Sequence, residues 1–526
     1  MADNKRVLTF HSDAVPDDTL HITDMSGTDE ISRYYVFTLG LVSKKPDIKF
    51  ADLLTRPARI EIKQGVKLAG GDKRGVQTLK IGGLLRSFEQ VEQRLDWARY
   101  RAELVSPLWK LSMNLRSHIF IDKTVPDIIK EVFKDHGLAD GTDFELRGLS
   151  GYPKREFVMQ YQESDLDFID RWLEHEGICY FHEHSDAGSK LVLANATAGH
   201  RPVQGNPAIA YKPIADADNR VEAGEGEDWF REEVIPVFHC KQHVIPKQVI
   251  LKEYNWRKPN EDLKVDHDVQ KDGVGIVYEY NNHYQDVAEG KKCAAIRTEE
   301  HVCREIVYSG ESDCRSFRAG GTYKLENHYR EDYNKSHLLI AVNHSASQSI
   351  ELASNSATNA TYRNSFSSVP ADRVFRPMRR TPWPHIAGFI SAKVDGSGSG
   401  EYPEIDDMGR YKVKLPLDLT DKKDGKASRY VRMMQPYAGG GMGMHFPLHK
   451  GTEVALIFLD GNPDRPIIAG AIPNPDTASP VAGANQSQCA LHTSGGNKLV
   501  IENQAGKQSM TMSSPAGNTV FSIGIG

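Results

Sequence analysis

Two histidines two positions apart, His182 and His184, fall on one face of an expected strand, Ile178–His184, with His175 near in sequence. Imidazoles at that spacing can grip a metal ion, but zinc wants a third and fourth ligand that the segment does not offer. Packing or hydrogen bonding is the plainer role, and no metal is expected. A looser group, His301, Cys303 and Cys314, would allow Cys303 to act as a nucleophile, yet a buried free cysteine is far more often a small apolar filler. The run Gly439-Gly440-Gly441-Met442-Gly443 invites a dinucleotide reading. That fingerprint needs a strand before it, a helix opening on it and an acidic residue ~20 positions on. Pro436 precedes the run and Pro447 follows closely, so it reads as a loop with unusual backbone angles. Arg410, Lys412 and Lys414 make a basic face that could meet single-stranded nucleic acid if aromatics stacked beside it. Only Tyr411 and Tyr430 are near, and Tyr411 alternates to the apolar side, so a solvated or subunit-facing surface is expected. No catalytic residue, no cofactor and no nucleic acid partner follows from these groups.

The elements that must carry them are mainly strands. The 526 residues, at ~150 per domain, suggest three or four domains. With 65 basic and 71 acidic side chains the formal charge is -6, poorly suited to broad polyanion binding. Six dispersed cysteines form no C-x-x-C pair, so neither a disulfide framework nor a zinc ribbon is suggested. The longest apolar run, Val454–Leu459, is far below the ~20 residues of a spanning helix, and the N-terminus shows no apolar signal segment. Synthesis and folding in the cytoplasm are expected.

In Arg33–Ser43 the apolar Tyr35, Phe37, Leu39 and Leu41 recur at every second position, the period of a half-buried strand; Ile60–Ile62 and Tyr100–Leu104 repeat it. Two helices interrupt. One has Thr124 as N-cap, Pro126 in its first turn and Gly137 at its end; the other opens at Ser164 and closes at Gly177. A third helix is expected over about Gln285–Glu300. From Ser345 to about Asp372 the chain turns to Ser, Asn, Thr and Ala. Such a stretch has too few large apolar groups for a core and reads as an extended connection. Pro377, Pro382 and Pro384 then mark a boundary. Beyond it Ile386–Val394, Arg410–Leu415, Arg429–Gln435, Val454–Leu459 and Ile467–Ile472 read as five short strands, enough for a small Greek-key barrel of the OB type. Val454–Leu459 is expected to be covered on both faces, with a turn at Asp460-Gly461-Asn462-Pro463.

The tail repeats. Gly495, Gly506 and Gly517 are spaced by eleven, as are Leu499, Met510 and Phe521, and Ile501, Met512 and Ile523. Three strands with glycine turns and two inward apolar residues each cannot close a core in one chain. Stacking solves that problem in repeat arrays, and with so few strands the economical answer is identical chains wrapped around one axis. A homotrimeric β-prism, stiff and narrow, is expected.

The whole chain resembles the VgrG family, the trimeric tip (spike) proteins of bacterial type VI secretion systems, related to contractile phage tail hubs and spikes. The resemblance rests on YQESDLDFIDRWLEHEGICYFHEH at 161–184, on DMGRYKVKLPLD (Asp407–Asp418), on the run from Arg429 through QPYAGGGMG to Gly470, and on GGNKLVIEN (Gly495–Asn503). Tyr437, Met442 and Leu417 depart from a tryptophan that family members often carry there. The resemblance implies a tail-hub-like region at 1–380, with the extended connection at 345–380, an OB barrel at 381–475 and the start of an intertwined trimeric β-helix needle at 476–526. It implies a homotrimer seated on a tube of Hcp rings in a baseplate, capped by a PAAR-repeat protein, loaded with effector or adaptor proteins, and driven out by sheath contraction with transient membrane crossing only. A phage tail hub–spike is the alternative. An envelope polysaccharide-degrading enzyme is a poorer one, since Pro473–Ser494 leaves no room for a domain bearing paired carboxylates. The ending Ser-Ile-Gly-Ile-Gly stops within the repeat, which suggests a cut or a covering protein.

Overall fold

A computed structural model describes residues 6–67, 74–186, 188–213, 232–353 and 356–524, so the last two residues of the C-terminal run lie outside it. The chain divides into two compact units: 1–116, 123–154 and 163–383 form the first, and 117–122, 155–162 and 384–526 the second. No helix among the described residues is long and apolar enough to cross a membrane.

The first unit is built on a sheet that has fourteen strands among the described residues. Its N-terminal half runs Leu8–Ser12, Pro57–Lys67, Arg74–Gln93, Ala98–Val105, Val36–Ser43, His21–Glu30 in spatial order, each antiparallel to the next. Alternation does the work expected of it: Phe37, Leu39 and Leu41 are buried with Ile60, Ile62, Tyr100 and Leu104 in one core. Three helices of more than ten residues are found in the unit among the described residues. Val125–Asp135 starts in a reciprocal cap, where Asp127 N donates to Thr124 Oγ1 at 3.2 Å and Thr124 N to Asp127 Oδ2 at 3.4 Å. Asp165–Glu176 is capped by Ser164 Oγ, which accepts from Asp167 N at 3.0 Å, and ends at Gly177 with φ 68°. Val287–Val302 packs on a small sheet of Gln248–Glu253, Leu263–Asp268 and Ile276–Tyr280.

The segment expected to be an extended connection is instead sheet. Ser336–Glu351 and Ser356–Pro370 pair antiparallel from His337↔Pro370 to Glu351↔Ser356, and Asp24–Glu30 pairs along the other side of the first strand. The composition misled because some of the inward positions, Gln348 and Asn364 among them, are polar and hydrogen-bonded, beside apolar ones such as Ala346, Tyr362 and Phe366. Gln348 Nε2 donates to the carbonyls of Leu8 (2.7 Å) and Ile22 (2.9 Å), while its Oε1 accepts from Leu8 N (3.1 Å). Asn364 Nδ2 donates to Cys314 O at 2.9 Å and Asn364 Oδ1 accepts from Ser312 Oγ at 2.8 Å. A buried amide with its partners supplied need not be excluded from a core.

In the second unit Lys412–Lys414, Phe389–Asp395, Glu453–Phe458, Pro466–Ala471 and Arg432–Met433 are neighbours in that order, and a bridge Tyr411↔Val431 joins the ends. The five expected strands therefore close into an OB barrel around Val394, Tyr411, Val413, Val431, Leu456 and Ile468. Two differences stand out. Val454, Leu456 and Phe458 are buried but Ala455 and Ile457 are half-exposed, so this strand is covered on one face rather than two. The barrel core also includes Ile119 and Met159, fully buried residues from two strand segments some 300 positions upstream, with Met159 N donating to Asp464 Oδ1 at 2.6 Å.

Candidate functional site

The candidate residues are scattered through the fold rather than gathered into one site. His182 and His184 are buried in the strand Cys179–Ser185, edge-on to the Tyr35 ring at 4.8 and 5.2 Å. His182 Nε2 meets Ser106 Oγ at 2.7 Å, and both ring nitrogens of His184 are buried without a hydrogen-bond partner among the described residues. Burial pushes His182 down to about 3 and His184 well below its ordinary value, so both are neutral core side chains. His175 lies elsewhere, between Trp172, His283 and Trp383. Among the described residues no group of three His, Cys, Asp or Glu could hold a metal. Cys303 and Cys314 sit in different cores, each thiol pushed up by burial, the reverse of what a nucleophile needs. The glycine run forms a hairpin, Ala438–Gly439 against Met442–Gly443, with Gly441 at φ 71° and no helix after it. On the basic face Arg410 pairs with Asp406 at 2.6 Å, and Arg410 and Lys412 lie over the Tyr430 ring, so the aromatic is already occupied.

The segment 161–184 is a clamp. Arg171 forks onto Glu163 (Nε–Oε2 2.9 Å, Nη2–Oε1 2.7 Å) and lies over the Trp383 ring at 4.4 Å. Glu174 accepts from the backbone nitrogens of Arg380 and Thr381, both at 2.9 Å. Arg376 donates to the carbonyls of Gly177 and Asn195 at 2.8 and 2.9 Å. Buried charges of this kind are tolerated because each has a partner. Trp383 and Arg376 lie two hundred residues from the helix they brace, and nothing local in the sequence marks them.

What remains unfinished is the tail. Gln488–His492, Lys498–Glu502, Ser509–Ser514 and Thr519–Ile523 form a four-stranded antiparallel meander, one strand more than the repeat disclosed. Its register sets Leu491, Leu499, Met512 and Phe521 in one row across the strands and Cys489, Ile501, Met510 and Ile523 in the next. Residues equivalent by the eleven-residue spacing, such as Leu499 and Met510, thus stand in different rows, because each strand reverses direction. Both rows share a face, and no second layer among the described residues covers it: Leu499 is 38% exposed, Met510 51%, Met512 55%, Phe521 59% and Ile523 56%, with Ile501 half-buried. The turns hold Gly496, Gly506 and Gly517 in the left-handed region, at φ 79°, 79° and 69°. The first of these is Gly496, not the expected Gly495. Ribbons this thin are marginal in water alone, and two rows of clustered apolar side chains, six of them exposed and only Leu491 and Ile501 half-buried, mark an association surface.

A family model described as phage tail baseplate hub (GPD) matches residues 28–350, more than half of the chain, and one described as type VI secretion system/phage-baseplate injector OB domain matches 403–472. The type VI secretion system spike proteins VgrG1b and VgrG1a of Pseudomonas aeruginosa are each 28% identical over 506 residues, covering 94% of this chain and 65% and 75% of their own lengths. The chain belongs to the VgrG family of tail-hub proteins. Solved VgrG-like structures share the fold. A type VI secretion component of E. coli, c3393, itself similar to T4 bacteriophage tail proteins gp27 and gp5, superposes with a TM-score of 0.61 at 21% identity, over 88% of this chain and all of that one. The structure of a PdpA–VgrG complex gives 0.62 at 10% identity, over 98% and 95%. This VgrG-family chain spans about two thirds of the first of the curated relatives it matches.

Proposed function

We propose that three copies of this chain form the tip of a contractile type VI secretion apparatus, a mechanical part without catalysis. The observation that carries the reading is the bare two-row apolar face at 488–523. Three meanders wrapped on one axis cover one another's rows, leave the polar faces outward, and make a stiff needle whose strand edges are paired, so that axial force is borne without unravelling. In this reading the hub units, boundaries near 380 and 475 as in the sequence, seat on the Hcp tube within the baseplate. A PAAR-repeat protein covers the needle tip, effector or adaptor proteins ride on the particle, and the assembly forms in the bacterial cytoplasm before contraction expels it. The spike names of the relatives support it. Light scattering of the purified full chain is expected to give three times 58.7 kDa, and a peptidoglycan turnover assay is expected to be blank. A well-ordered monomer at micromolar concentration would overturn the reading.

A further inference from the structure

A second bare surface lies on the barrel. Every residue from 436 to 447 is exposed, and the stretch is neither polar nor slack. Met434, Tyr437, Met442, Met444 and Phe446 are 45–60% exposed. The hairpin is rooted in the barrel core: Met434 N donates to Ile468 O at 2.8 Å, and His445 bridges Gln435 Nε2 (3.0 Å) and the hydroxyl of the buried Tyr411 (3.1 Å). Met444 N donates to Tyr437 O at 3.0 Å, closing the arm on itself. An arm held this firmly, with five large apolar side chains open to water, is the mark of a contact surface.

We infer that this arm is the barrel-level contact between copies of the chain, gripping the neighbouring protomer's barrel and fixing its position before the needle begins; the inference rests on the trimer reading above. Two observations select a second copy as the occupant. The arm's base is tied to the first turn of the needle meander within one unit. Past Phe446 the chain reaches His449, whose ring packs edge-on against Tyr402 at 4.7 Å, and Tyr402 hydrogen-bonds Ser494 in the needle's first turn at 2.6 Å. A copy that covers the needle rows is therefore brought alongside the arm. The arm is also free of charge: residues 433–444 contain no Asp, Glu, Lys or Arg in a chain whose net charge is -6. Identical acidic molecules meeting around an axis repel wherever like charges face each other, and an uncharged, methionine-rich strip avoids that while adapting its shape to the partner.

The test is dilute peroxide oxidation of the purified full-length protein, read methionine by methionine by peptide mass spectrometry against N-acetylmethionine amide in the same tube, with light scattering on the same sample. Oxidation follows exposure, so Met434, Met442 and Met444 are expected to react roughly tenfold or more slowly than the free standard, although each is about half exposed in the lone chain. A three-chain mass with these methionines oxidising less than tenfold more slowly overturns the inference and leaves the needle reading standing. A one-chain mass overturns both. Protection that arises only when a different protein is added also overturns it.

Discussion

Gly177 shows how much of the hub turns on single residues. It ends the 165–176 helix at φ 68°, where an L side chain is strained by about 1–2 kcal/mol. A Cβ there would also stand 2.5 Å from Ile296 Cγ2, inside van der Waals contact. Gly177→Ala is expected to lower hub stability by about 2–4 kcal/mol, the strain plus overpacking, measured as a shift in urea midpoint at unchanged slope. Asp170 makes a different prediction. Its carboxyl is buried, and burial raises it to about 8, with the Glu174 and Asp167 charges adding to the rise and Tyr180 and Arg33 opposing it. The unfolded carboxyl ionises near ~3.9, so between about pH 4 and 8 the fold holds a proton that the open chain has released. The folded state binds more protons there, and stability falls as pH rises through that window. Asp170→Asn removes this slope. Thermal melts at pH 5 and pH 8 are expected to differ less in the variant than in the parent, and an unchanged difference would show that Asp170 is ionised in the fold. His182, pushed down to about 3 by burial, acts in the other direction: the unfolded ring takes a proton below ~6.5 that the folded ring refuses, so stability is lost as pH falls through that range.

At the level of elements, local signals were legible and distant ones were not. The caps at Thr124 and Ser164 and the stop at Gly177 lie within four residues of what they control, and the structure has all three. Strand alternation was equally local. The hairpin at 336–370 was hidden because Gln348 and Asn364 are buried for their hydrogen bonds, which composition does not report. The barrel was legible as five strands but not as a unit, since Ile119 and Met159 reach its core from far upstream. That omission has a consequence. Met159→Ala opens a cavity in the barrel and is expected to cost about 2–5 kcal/mol, and a fragment starting at Pro384 is expected to show no cooperative melt, while the full chain does. The needle turns give a finer contrast. Gly496 needs the left-handed region and a Cβ there would lie 3.2 Å from Pro515; Gly495 does not need it, and its nearest neighbour would be 3.6 Å away. Gly496→Ala is expected to destabilise the needle by about 1 kcal/mol, while Gly495→Ala is near neutral, read from the melting temperatures of the two full-length variants. Equal shifts would mean the turn is set differently in the assembled protein.

For the whole molecule, the question is whether the two apolar rows meet at a common axis or are covered in another way, and one thiol can answer it. Cys489 stands in the row with Ile501, Met510 and Ile523 and is exposed in the single chain, whereas Cys179, Cys303 and Cys314 are buried and Cys240 and Cys293 half-buried. Three needles packed row to row place Cys489 in a dry interior that a charged disulfide reagent cannot enter, and reactivity of a thiol tracks its access. The parent protein is therefore expected to show Cys489 labelling at least roughly tenfold slower than that of a denatured control. Met512→Asp places a carboxylate in the neighbouring row, at a cost of several kcal/mol per buried unpaired charge. Three such charges around one axis repel as well, so the variant is expected to fall to the mass of one chain and to label at the rate of an open thiol. The pairing of these two readouts separates the possibilities. A three-chain mass with a freely reactive Cys489 would mean that the hub or barrel holds the trimer while the needle faces lie outward, and piercing would then need a second protein to supply the stiff point. A protected Cys489 that opens only when the mass collapses ties the shielding of the rows to the threefold assembly itself, because no part of the lone meander is thick enough to provide it.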